Sequence, residues 1–157
     1  MESIIIPFIP NNLGRIVFAA HVMTGNRKSL DKIRFKLDYG SDFTTISCDD
    51  LKMLGYTDDF LQNCPFHKDD ASAAFGKNKL KFQYITDVSI KFGNRELQGC
   101  RIFYALRTDL RSLFGTDILK YFNSEINYDI GEICLRKRSE SPALSRDEKQ
   151  IQIYSLE

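Results

Sequence analysis

The chain has 157 residues, 43% of them hydrophobic and 27% charged, with a formal net charge of +1. That length suffices for one domain with its own core, and the composition is that of a globular protein. The near-neutral balance gives neither a nucleic-acid footprint nor a polyanionic tail.

Cys48, Cys64, Cys100 and Cys134 are widely spaced, with no Cys-x-x-Cys pair and only His21 and His67 to join them. No zinc site is expected, and no metal, haem or nucleotide constellation stands out. An even count permits disulfides, but four reduced, mostly buried thiols in a cytoplasmic protein are the expectation. Ile4 to Ile9 is a short apolar run broken by Pro7 and preceded by Glu2. It reads as neither a signal peptide nor a membrane span.

In chain order, Ser3 to Ile9 is an extended segment ended by Pro10-Asn11-Asn12. Arg15 to Met23 is apolar and β-prone, and Gly25-Asn26 centres the turn after it. Ile33, Phe35 and Leu37 then alternate with Lys32, Arg34 and Lys36, which predicts a half-buried strand. Asp38 comes where that pattern stops, and Gly40 permits a sharp reversal. A carboxylate is thereby held at a strand end on a tight turn, with the Ser41 hydroxyl beside it. Taken alone, Asp-x-Gly is ordinary turn chemistry.

Phe43 to Ile46 reads as a second extended piece. A short helix over Asp49 to Leu54 follows, with Ser47 as N-cap and Gly55 as the residue that ends it. Another short helix is expected near Phe60-Leu61. Ala73, Ala74, Phe75 and Gly76 lie in a run of small residues before a strand over Leu80 to Ile85. Small side chains allow close backbone approach, as in a hairpin lying over an extended ligand. A plain solvent hairpin is the other reading of the same residues.

Val88, Ile90 and Phe92 alternate, Gly93-Asn94 turns, and Leu97 resumes, which is a hairpin signal. Arg101 to Leu106 reads as a further strand, and Asp117 to Phe122 as a short helical pattern. Ile126, Tyr128 and Ile130, then Ile133 to Leu135, form a second hairpin about Gly131-Glu132. Arg136 to Lys149 is a polar stretch of mixed charge, read as a linker or mobile tail. Ile151 to Leu156 alternates again. The fold class is therefore mostly β: a small closed β-barrel-like domain with two or three short helices. Residues 1–136 form the domain, 137–149 a polar linker and 150–157 a C-terminal strand.

Two motifs in order carry a resemblance. Leu37-Asp38-Tyr39-Gly40-Ser41 comes early, and Leu113-Phe114-Gly115-Thr116-Asp117 much later. With the strand after the first, they resemble the retropepsin-like aspartic protease family over roughly Gly14 to Arg136. The resemblance implies an acid-protease lobe with Asp38 as catalytic carboxylate and Tyr39, Gly40 and Ser41 as its active-site loop. In that reading the Gly40 N–H donates to the carboxylate and Ser41 bonds its outer oxygen. Leu113, Phe114 and Gly115 pack behind the loop, and Ala73 to Gly76 become a flap over substrate.

Aspartic proteolysis needs two carboxylates sharing one proton, and the pair titrates as a unit. The chain offers one such loop and no internal duplication. The resemblance therefore implies a homodimer with one Asp38 from each subunit across a two-fold axis. It also implies terminal strands, Ile4 to Ile9 and Ile151 to Leu156, interleaved between subunits. The expected activity is peptide-bond hydrolysis by an activated water, without cofactor, nucleic acid or membrane. Tyr39 departs from the family's Thr or Ser, because its hydroxyl sits at the far end of a rigid ring. That departure motivates the alternative of a catalytically inactive module that binds an extended peptide or partner protein. A chance match in an unrelated small β-domain is a third reading.

Overall fold

The computed structural model of the chain describes residues 3–10, 14–25, 27–28, 32–67, 71–72, 79–106, 110–145 and 147–155. Its architecture is mostly β, as the sequence pattern implies. An eight-stranded sheet curls into a half-barrel with strand order β10-β5-β3-β8-β9-β13. These strands are β3 (Ile16–Thr24), β5 (Ile33–Leu37), β8 (Gln83–Phe92), β9 (Arg95–Tyr104), β10 (Leu113–Phe114) and β13 (Gln152–Ser155). The short strands β2 (Ile9–Pro10) and β4 (Arg27–Lys28) pair with β3. A separate three-stranded sheet runs β1 (Ser3–Pro7), β12 (Glu132–Lys137), β11 (Phe122–Asn127).

Alternation builds the core. In β5, Ile33, Phe35 and Leu37 are buried while Arg34 faces out. In β3, Phe18, Ala20 and Val22 are buried. Phe18, Phe35, Phe92 and Phe114 meet there with ring centroids 5.3–6.1 Å apart, mostly edge to face. Such ring pairs gain beyond simple area burial, and they fix β10 of the late motif against β5 of the early one.

Two elements that the sequence divides are continuous. Leu80 to Ile85 and Val88 to Phe92 are not two strands; β8 runs unbroken from Gln83 to Phe92. Its pairing with β9 shifts between Ile85 and Val88, where Asp87 adopts a φ of 57°. An extra residue absorbed this way is a β-bulge, which keeps the strand intact and re-phases its inward face. Likewise β9 runs from Arg95 to Tyr104 through Gly99, whose φ is 79°. Leu80 instead belongs to β7 (Lys79–Leu80), which pairs with β6 (Ala71–Ser72).

The helices form close to where capping chemistry puts them. Helix α1 spans Cys48–Met53; the Ser47 hydroxyl accepts from Asp50 N, and Gly55 follows with φ 95°. Helix α2 (Asp58–Asn63) is capped by Thr57. Its C-terminal end is held by a buried side chain, because Gln83 Nε2 donates to the carbonyls of Leu61, Gln62 and Cys64. Helix α3 is only Thr116–Leu119, and Phe122 already starts β11.

Both terminal strands find partners within the chain. β1 pairs with β12, and β13 pairs with β9 from Gln152↔Gln98 to Ser155↔Arg95. The polar stretch before β13 is tied down. Lys120 Nζ meets both Glu148 carboxylate oxygens at 2.9 Å, and Ile151 N donates to Tyr121 Oη at 3.2 Å.

Candidate active site

Asp38 sits at the end of β5, half-buried, where β10 runs alongside β5 in parallel register, Leu113↔Lys36 and Phe114↔Leu37. Its own N–H donates to Phe114 O at 3.0 Å. The side chain is fixed from the turn: Gly40 N donates to Asp38 Oδ1 at 2.8 Å. A Cβ at position 40 would lie 3.1 Å from that same oxygen, so glycine gives the amide its clear approach.

The other loop residues are placed as follows. Tyr39 is 53% exposed, its ring turned away from the core. The Ser41 hydroxyl does not bond the Asp38 carboxylate; it donates to Phe43 O at 2.7 Å, closing the far side of the loop. A short turn makes that nearby carbonyl the easier acceptor. Leu113 and Phe114 form β10, with Phe114 fully buried in the ring cluster. Gly115 has the tightest fit of all. A Cβ there would fall 2.4 Å from Phe43 O and 2.8 Å from Ser41 O, so no side chain fits behind the loop. Ala73, Ala74, Phe75 and Gly76 lie outside the described residues. The pairing of β6 with β7 on either side of them is that of a hairpin stem.

The late motif holds the loop through residues that the sequence reading passed over. The Asp117 carboxylate accepts Thr44 N at 3.0 Å, Thr44 Oγ1 at 2.7 Å and Ile118 N at 2.9 Å. Thr44 Oγ1 in turn accepts Gly115 N at 3.1 Å, and Thr116 N donates to Ser41 O at 2.9 Å. Burial pushes the Asp117 carboxyl up to about 6, against the lowering effect of the three donors; the nearby Glu148 charge adds to the rise. Phe43 to Ile46 is extended, as expected, but forms bridges rather than a regular strand. Thr45 exchanges backbone bonds with Leu113, while Thr44 and Ile46 bond Phe103. The loop is therefore wedged between β9 and β10. Ser112 Oγ joins the late motif to α1 by donating to Asp50 Oδ2 at 2.7 Å and accepting Ser47 N at 3.0 Å.

Such an arrangement can hold one carboxylate at a fixed height above a rigid support. Among the described residues no three His, Cys, Asp or Glu side chains are grouped to hold a metal ion. No described helix is long and apolar enough to cross a membrane.

No protein-family model matches the chain, and a search of curated proteins finds no match. Among solved structures it is similar to the crystal structure of a retropepsin-like aspartic protease from Rickettsia conorii. The two share 25% identity with a TM-score of 0.58, over 85% of this chain and 89% of that one. With an Asp38 turn backed by a parallel β10 and a side-chain-free Gly115, the fold of this chain is the retropepsin-like fold.

Proposed function

We propose that the protein is an aspartic endopeptidase that works as a homodimer, each subunit giving one Asp38. The observation that carries this reading is the Asp38 carboxylate. It is fixed by the Gly40 amide yet half-open to solvent, on a loop braced from behind by Gly115. In the pair, one ionised Asp38 takes a proton from water while its protonated counterpart polarises the peptide carbonyl. Tyr39, Gly40 and Ser41 shape the loop, and the segment from Ala73 to Gly76 closes over an extended peptide.

Self-association is supported by exposed apolar surface. Ile9, Tyr128 and Ile130 are 84%, 58% and 64% exposed, and the Tyr128 ring meets Phe8 at 5.9 Å. Apolar side chains clustered this way mark a surface that a partner covers. The outer edges of β1 and β13 pair with no described strand, which leaves them free to extend the sheets across subunits. The four thiols form no disulfide, in keeping with a cytoplasmic location.

One observation favours the non-catalytic reading. Tyr39 is exposed on the Asp38 loop; in a dimer that meets at this loop, its ring would hold the two carboxylates further apart. Peptide-library cleavage by wild type and Asp38→Asn decides between the two. Proteolysis lost in the variant supports the protease. Peptide binding retained by both chains, with cleavage by neither, supports the binding module.

A further inference from the structure

The outer face of the half-barrel carries a charge pattern that the proposed reaction does not use. Along β5, Ile33, Phe35 and Leu37 are buried, while Arg34 and Lys36 face outward. Lys32, just before the strand, keeps the same phase and is exposed. The neighbouring strand adds a fourth cation. Arg111 precedes β10 by two residues. It is exposed, Ser112 is buried, Leu113 is half-buried and Phe114 is buried, an alternation that puts Arg111 on the outer face. Lys36 N donates to Ser112 O, and Leu113 lies beside Lys36, so Arg111 comes alongside Arg34.

The strand on the other side gives these cations no counter-charge. β3 places Val17 opposite Lys36 and Ala19 opposite Arg34. Both are small and apolar, and they form a low floor beside the row of cations. His21 takes the next outward position of β3, and Lys91 of β8 stands opposite it. In that row the first carboxylate is Glu96 of β9, beyond Lys91, and Gln98 Nε2 donates to it. The ion pairs between described residues form elsewhere, at Lys52–Asp58, Lys120–Glu148 and Arg136–Glu125. Opposite charges in facing positions stabilise a sheet, and like charges side by side repel. A face that served solvation alone would mix the two signs. This one gathers four cations in a chain whose net charge is +1.

The spacing points to the chemistry of a partner. Successive outward side chains of a strand stand about 6.6 Å apart, so Lys32 to Lys36 covers about 13 Å. An extended peptide with acidic residues at alternate positions repeats at the same distance. With these four cations set apart, the remainder of the chain is net acidic and would repel a longer polyanion. Two copies of the face also repel each other, so it is not the surface through which subunits join. Its position points to its use. Lys36 lies two residues before Asp38 on the strand that carries the catalytic turn. A segment held here keeps the rest of its chain near that turn and raises its effective concentration there.

We propose that Lys32, Arg34, Lys36 and Arg111 form a docking face for an acidic, extended segment of the protein substrate, away from the bond that is cut. This rests on the protease or peptide-binding reading above and names its substrate class: chains with an acidic stretch near the site of action.

The test has two arms. In the first, a fluorescein-labelled peptide with four glutamates at alternate positions among alanines is titrated into Asp38→Asn at about 50 mM salt. The same titration is run on that chain with Lys32→Gln, Arg34→Gln and Arg111→Gln added, all three at exposed positions. Affinity should fall about tenfold in the altered chain, and fall in the parent as salt rises to about 0.3 M. In the second arm, a peptide cut by wild type is joined to the same acidic stretch. The stretch should lower KM about tenfold without changing kcat. The three substitutions placed in wild type should abolish that gain and leave cleavage of the unjoined peptide unchanged. Equal binding of the acidic peptide by both chains overturns the docking face. So does tighter binding of oligothymidylate or of phosphatidylserine vesicles, or a KM that the stretch does not lower. Continued cleavage of the unjoined peptide then shows that the protease itself stands. No cleavage by wild type, with acidic-peptide binding lost in the altered chain, removes the protease and supports the face as part of a peptide-binding module.

Discussion

Asp117 clamps Thr44 at both ends, taking its backbone N–H at 3.0 Å and its hydroxyl at 2.7 Å. These residues lie 73 positions apart, yet together they fix the bridged segment that leaves the Asp38 loop. Because burial raises the Asp117 carboxyl to about 6, the clamp is sensitive to pH. In the unfolded chain the group ionises near its ordinary value of 3.8, while in the fold it stays protonated up to about 6. Between those values the folded state holds more protons, so this group's contribution falls as pH rises. The loss is at most ~3 kcal/mol and is complete above about pH 6. Asp117→Asn should remove this slope. Urea denaturation of both chains from about pH 3 to about pH 7, which spans the two values, checks it.

Glu148 acts in the opposite sense. Burial pushes its carboxyl up, but donors from Lys120 and Ser145 outweigh that and hold it below its ordinary value. Its stabilising contribution is present at neutral pH and is lost as pH falls through the lowered value. Lys120→Met should remove most of that acid-side loss and expose the 143–151 segment to proteases at neutral pH. Limited proteolysis read by mass spectrometry gives both results.

Gly115→Ala should be severe. The added methyl would fall 2.4 Å from Phe43 O, and β10 and the loop would have to separate. Strain of this kind destabilises by about 1–3 kcal/mol or more. Any peptide cleavage should fall with it, because the Asp38 turn rests on that contact. A thermal melt of the variant within error of wild type would contradict this.

Gln83 is 2% exposed, and its amide serves three carbonyls at the end of α2. Gln83→Leu would leave them without a donor, at a cost of about 1–3 kcal/mol. Amide exchange in Asp58–Asn63 should rise well before that of β3 and β5. Uniform exchange across the chain would argue against a local role.

Much of the fold was legible because period-two alternation and glycine turns are local signals. The Asp38 strand, the first hairpin and the Ser47 cap follow from adjacent residues; the second hairpin turns earlier than its alternation implies, since β11 ends at Asn127 and Tyr128 and Ile130 lie in the turn rather than in a strand. What escaped depends on distant partners or on non-glycine backbone. Asp87 bulges with a positive φ, which nothing in Thr86-Asp87-Val88 announces, so one strand read as two. Asp117 looked like the first turn of a helix, which it is; its bonds to Thr44 appear only once β10 lies beside β5. The tie of Glu148 to Lys120 was hidden in a polar run with no pattern. Ser41 was expected to face the carboxylate, but a closer carbonyl claims its hydroxyl.

Self-association can be checked at the exposed apolar residues. Tyr128 and Ile130 stand in the turn between β11 and β12. Changing Ile130→Asp should shift the sedimentation profile toward monomer and leave the thermal melt nearly unchanged, within about 0.5 kcal/mol. A profile identical to wild type would contradict self-association through this surface.

The most direct measurement is peptide-library cleavage from acidic to neutral pH by wild type, Asp38→Asn and Tyr39→Thr. Cleavage by wild type, abolished in Asp38→Asn and kept or increased in Tyr39→Thr, is the predicted result. No cleavage by any of the three, from chains that fold and dimerise, would contradict the protease and leave the peptide-binding module.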